Sequence, residues 1–181
     1  NIRNVNASAS NIADNYMDGK SHLAEICQSA MDIHKMALSH IVATDYNTMT
    51  TLVQQIKTEE ARLDNLLAQY QKYVISSDQK AYQSLLSDYD AFKHALVHLT
   101  CASASRKTQY AYMLANGDVA TFAQAINNDI DVLNNSIREQ TTTAREQLAS
   151  VYLMSLIVGV AAASACILLV FADLKLITKY V

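Results

Sequence analysis

Residues 151–172 read VYLMSLIVGVAAASACILLVFA, a run of 22 positions without one charge. At about 1.5 Å of rise per residue such a run crosses the ~30 Å hydrocarbon core of a bilayer, so it is expected to be a transmembrane helix. A helix packed inside a soluble bundle keeps a polar stripe, and only Tyr152, Ser155 and Ser164 soften this one. Residues 173–181 follow it with Lys175 and Lys179 against Asp173. This small basic excess assigns the tail to the cytoplasm and residues 1–150 to the extracytoplasmic side. An exported domain needs an export signal, so a first membrane helix is expected upstream of Asn1.

Composition points to helices throughout. The 181 residues contain no proline and only three glycines, Gly19, Gly117 and Gly159. Average usage near 5% would supply about nine prolines, so tight turns are scarce and the chain should form a few long helices with short connections. Setting aside Lys175, Lys179 and Asp173 leaves 12 basic and 16 acidic residues in 1–150, a net charge of −4. That balance gives no reason to expect a nucleic-acid partner. There is no glycine-rich phosphate loop, no nucleophile elbow and no HExxH, so an enzyme is not expected and no cofactor is implied.

Working back from the membrane run, four helices are expected at about 8–44, 48–76, 78–115 and 118–150. In the first, Leu23, Ile26, Ala30, Ile33 and Ala37 alternate by three and four as a core seam. Cys27, Met31, His34, Leu38 and Ile41 repeat that spacing one position on. The second stripe is either the flank of one broad apolar face or a homodimer contact. Asp45, Asn47 and Thr48 have turn and capping chemistry, and the second seam runs Met49, Leu52, Ile56, Glu59, Leu63, Leu66, Tyr70 and Tyr73. The third is a heptad of Tyr82, Leu85, Tyr89, Phe92, Leu96, Leu99, Ser103, Arg106, Tyr110 and Met113. Asn116, Gly117 and Asp118 then supply a C-cap glycine beside an N-cap aspartate. The fourth seam is Val119, Phe122, Ile126, Ile130, Leu133, Ile137, Ala144 and Leu148. With no stop signal before Val151, the fourth helix should continue into the membrane. The fold class is therefore all-α, an antiparallel up-down-up-down four-helix bundle on residues 1–150, a transmembrane helix at 151–172 and a connector at 173–181.

This layout, with its LKLITKYV tail and stretches such as AYMLANGDVATFAQAI, resembles the four-helix-bundle sensor domain of bacterial methyl-accepting chemotaxis receptors. The tail is similar to the connector that leads into a HAMP domain. The resemblance implies a homodimeric receptor in the inner membrane that binds a small molecule and relays a small displacement of the fourth helix to a cytoplasmic output domain. The same domain also fronts histidine kinases and diguanylate cyclases, and a membrane-anchored assembly module is the alternative of another class. Amino-acid receptors of the family use arginines on the first helix, and here none follows Arg3, so an amino-acid ligand does not carry over. On the fourth helix Gln124, Asn127 and Asn128 read as a solvated face.

Counted from the expected bundle tip, Arg106, Glu59, His34 and Asp129 fall at one level, about 15 Å down. A buried guanidinium needs a partner, and Glu59 is the expected one. The layer is either an ion pair that sets register or a pocket in which Arg106 holds a small anion and His34, Glu59 or Asp129 completes the site. His94, His98 and Cys101, spaced i, i+4, i+7, share a helix face and are a metal-ligand alternative to no metal at all. Cys27 and Cys101 lie on diagonal helices, too far apart for a disulfide, so free thiols are expected.

Overall fold

The computed structural model describes the backbone of residues 2–180 and the side chains of residues 7, 11, 12 and 14–167. The described backbone is mostly helical, with α1 (Ile2–Val42), α2 (Tyr46–Tyr70), α3 (Gln79–Ala104), α4 (Thr108–Leu114) and α5 (Ala120–Tyr180). Among the described residues there is no strand. Residues 13–139 form one compact unit, and residues 1–12 with 140–181 form another.

Within residues 13–139 the seams meet as an all-α four-helix bundle. Leu23, Ile26, Ile33, Leu63, Leu85, Phe92, Leu96, Leu99, Ile126 and Leu133 are almost wholly buried, so three- and four-residue spacing places them on inward faces. Fully burying one such side chain contributes about 1.5–3 kcal/mol, which makes this common core the source of the bundle's stability. Cross-helix hydrogen bonds fix the antiparallel order. Tyr82 and Tyr89 of α3 donate to the carbonyls of Leu67 and Glu60 at 2.9 and 3.2 Å. The Ser136 hydroxyl of α5 donates to Asp78 at 2.6 Å, at the start of α3. A methyl at Gly19 of α1 would stand 3.4 Å from Ile137 Cδ1 and 3.5 Å from the Tyr73 ring, ordinary van der Waals contact, so the packing there does not require glycine.

The first reversal has the expected chemistry. Asp45 caps α2, accepting from the Thr48 amide at 2.8 Å and the Thr48 hydroxyl at 2.7 Å. The reversal after α3 corrects the sequence reading. The third helix ends at Ala104 rather than near 115, and the fourth begins at Thr108 rather than 118. Arg106 takes the left-handed conformation, φ 60°, normally held by glycine. The Lys107 amide donates to the Ala102 carbonyl and the Arg106 amide to Ser103, both at 3.0 Å. These two bonds complete a Schellman stop, satisfying carbonyls that a finished helix leaves open. The Asn116, Gly117 and Asp118 group is no turn between helices. It lies in a π turn, Ala115–Val119, where Gly117 departs from helical geometry at φ −98°, ψ −109° and kinks the fourth helix. Asn116 and Thr121 donate to the Tyr112 and Gly117 carbonyls at 3.0 Å, joining the Ala115 and Ala120 amides that donate to the same acceptors.

In the other unit, the described part of the membrane run carries exposed Val151, Tyr152, Leu153, Met154, Leu156, Ile157, Val158, Val160 and Ile167. Its most apolar 18-residue window has a mean hydropathy of 2.0 and none of it is buried. One helix is therefore long and apolar enough to cross a membrane. Its Ser164 hydroxyl donates to the Val160 carbonyl at 2.8 Å, so this polar group is satisfied without water. Residues 168–172 of the expected span and the connector 173–181 lie outside the described side chains.

Candidate functional site

The four residues expected in one polar layer have four separate sets of partners. Arg106 is exposed at the α3–α4 reversal, where its Nη2 donates to the Thr44 carbonyl at 3.1 Å and its guanidinium lies 5.2 Å from the centre of the Tyr46 ring. The pair with Glu59 does not form, because the Schellman stop moves Arg106 from the middle of a helix to its end. His34 is half-buried and meets the Phe92 ring edge-on, with centroids 5.9 Å apart. Burial pushes its pKa below the usual imidazole value.

Glu59 sits between α1 and α2 with two donors. The hydroxyl of the fully buried Ser29 donates to Oε1 at 2.7 Å, and Arg62 Nη1 donates to the same oxygen at 2.8 Å. The Ser29 bond leads in holding the Glu59 carboxyl below its ordinary range, and Arg62 adds to it. Arg62 also reaches Glu25 at 3.5 Å across to α1. Asp129 has the opposite surroundings. From α5 it meets Asp88 and Ser84 of α3, and its Oδ2 is buried without a hydrogen-bond partner. Burial first, and the neighbouring Asp88 next, push its pKa up to about 6, while Ser84 acts in the other direction.

Sequence reasoning missed Ser29, Ser84 and Asp88. Ser84 and Asp88 stand four apart on one helix face, beside seam positions Leu85 and Tyr89, and that spacing was the available signal. It missed His40 as well, which is 1% exposed near the reversal end of the bundle. Ser103 donates to the His40 carbonyl at 2.9 Å, and its hydroxyl oxygen lies 2.8 Å from His40 Nδ1. One hydroxyl has one proton, so this network assigns the Nδ1–H tautomer to the ring.

The second stripe of α1 divides. Ile41 turns into the core at 7% exposure and the half-buried Cys27 packs against that core. Met31 and Leu38 remain exposed and, with His34, Lys35, Ser39 and Val42, line an open apolar groove of about 450 Å³. A second open groove, about 670 Å³ between α1 and α2, is polar and includes Asp32, Lys35, Gln54, Gln55 and Glu59. On α3, His98 and Cys101 border a third with Lys107 and Tyr110, and His94 is exposed with Nδ1 2.8 Å from the Asp90 carbonyl oxygen. His94, His98 and Cys101 do not assemble as a metal site, because i and i+7 lie about 10 Å apart along a helix. No group of three metal-binding side chains occurs among the described residues. Gln124 donates to Asn128 at 3.0 Å on an exposed face. Cys27, Cys101 and Cys166 are free thiols.

The described residues form an antiparallel helical bundle with polar groups held between its helices, and the chain also has a helix of membrane-crossing length. Residues 1–152 match a family described as a four helix bundle sensory module for signal transduction, and the chain belongs to that family. No curated protein matches the sequence at a significant level.

Proposed function

We propose that this chain is the ligand-sensing and transmembrane signalling part of a bacterial chemoreceptor, with the bundle outside the inner membrane and a cytoplasmic output domain beyond Val181. The observation that carries the reading is α5. It spans 61 residues, Ala120–Tyr180, beginning in the bundle core with Ile126, Ile130 and Leu133 and including the apolar run. A helix that belongs to both regions transmits an axial or rotational shift without a flexible break. The receptor works as a homodimer through the exposed α1 residues Met31 and Leu38, whose burial against a second copy removes apolar surface from water.

The relay is tested in the chain joined to a reporter histidine kinase in membranes. Inserting two glycines after Leu148 should bring kinase output to the level of the reporter alone, with the thermal melt of the bundle unchanged. Output equal to that of the uninterrupted chain overturns the relay. Met31→Cys and Leu38→Cys should give intermolecular disulfides, whereas Lys80→Cys on α3 should not. The reverse pattern displaces the dimer contact.

A further inference from the structure

Asp129 of α5 has one carboxylate oxygen that stands apart from those of its neighbours. Asp78 accepts from Ser136 at 2.6 Å and Glu59 from Ser29 at 2.7 Å. Asp129 Oδ2 is buried with no partner, and the charged group acting on its carboxyl is a second carboxylate, Asp88. Ionised carboxylates only accept hydrogen bonds, so two of them across a helix contact repel until a proton lies on one and is shared with the other. No cation of the described residues acts on the Asp129 carboxyl. Among the described residues, α3 brings Asp88 and the neutral Ser84 to it, and α1 and α2 bring no charged group that acts on it.

We infer that Asp88 and Asp129 form a proton-binding site that draws α3 and α5 together in mildly acidic medium and loosens them as the medium turns alkaline. The ligand is a proton, its binding group is the Asp129 carboxyl, and the hydrogen bond it makes to Asp88 ties two helices of the bundle. Because Asp129 titrates at about 6 in the folded chain against an ordinary 3.8, the native state binds the proton more tightly than the unfolded one. The stability this adds is complete below the unfolded value and is lost as pH rises through the folded one. His34 and His40 work in the opposite sense. Burial lowers both, so their contribution is lost as pH falls, and the carboxyl pair must be read as a difference between variants. The use of this site as a signal rests on the relay proposed above, whereas its existence does not.

The test is thermal unfolding of the full chain in detergent micelles between about pH 5 and pH 8. The melting temperature of Asp129→Asn relative to wild type should rise with pH, the variant melting several degrees higher at the alkaline end. Asp131→Asn, an exposed change on the same helix, should run parallel to wild type. Parallel profiles for Asp129→Asn and wild type overturn the proposal. So does an alkaline-end rise in wild-type melting temperature with calcium or magnesium that Asp129→Asn lacks, since the pair is then a cation site. Carbon-13 titration of the Asp129 carboxyl in wild type needs no variant to fold, and a midpoint in the ordinary aspartate range also overturns it. The two-glycine insertion after Leu148 should leave these melting profiles unchanged, so loss of the relay and loss of the proton site are separate readouts.

Discussion

Glu59 on α2 and Asp129 on α5 are both partly buried carboxylates between helices, and their chemistry diverges because of what faces them. Glu59 meets a hydroxyl and a guanidinium, both donors, and is held below its ordinary range. Asp129 is pushed above its ordinary range by burial first and by another carboxylate next. Burial opposes the charge in both cases, so the sign of the outcome is set by the neighbour. One half of the bundle carries a fixed charge and the other a titratable one.

The sharpest control on this comparison is a change that ignores charge. Leu133 lies one turn beyond Asp129 on α5 and is fully buried. Leu133→Ala should cost about 2–5 kcal/mol by chemical denaturation, equally at every pH, because a cavity has no proton to bind. Ser29→Ala comes next. It leaves the Glu59 charge short of its buried donor and should cost about 1–2 kcal/mol near neutral pH. Stability from a carboxyl of lowered pKa is present above the unfolded value and lost on acidification, so the deficit should shrink as Glu59 protonates. A deficit that grows in acid would break the contrast.

Asp88→Asn gives Asp129 a donor in place of a charge. It should raise stability by about 1 kcal/mol in mildly alkaline buffer and move the Asp129 titration down toward the ordinary range, read by carbon-13 shifts. The smallest effect belongs to Glu25→Ala. The Glu25 and Arg62 side chains are each 47% exposed at 3.5 Å, and their pair should contribute under about 0.5 kcal/mol, with the remainder screened in high salt. A larger loss there than at Ser29 would mean that Arg62, rather than the buried hydroxyl, holds the Glu59 charge.

The inward faces were legible because helical periodicity is a local property. Leu23, Ile26, Ala30, Ile33 and Ala37 are all buried as their spacing requires, as are Tyr82 through Ser103 at heptad positions. What was not legible was where the third helix stops. The heptad runs on by coincidence through Arg106, Tyr110 and Met113, while the stop lacks the glycine that usually marks it. Arg106 occupies the left-handed position, and its tie to Thr44 and stacking on Tyr46 make an unpromising residue acceptable there. Asn116, Gly117 and Asp118 carried the stronger turn signal and form a kink. The expected polar layer failed with that single error, since Arg106 had been placed by counting from the wrong tip. Asp129 was singled out on the same count, but its partner Asp88 was not, because a contact between residues 41 positions apart depends on the reversal between them.

The π turn at Ala115–Val119 has a hereditary consequence. Each residue of an α-helix turns the next by about 100°, so one codon gained or lost in an unbroken helix re-aims every later side chain. A wide turn takes up such a surplus residue at one place, beside a glycine at which an added methyl would meet no atom within 4 Å. A surplus residue taken up in this turn leaves Ile126, Ile130 and Leu133 of α5 aimed at the core they share with α1, α2 and α3.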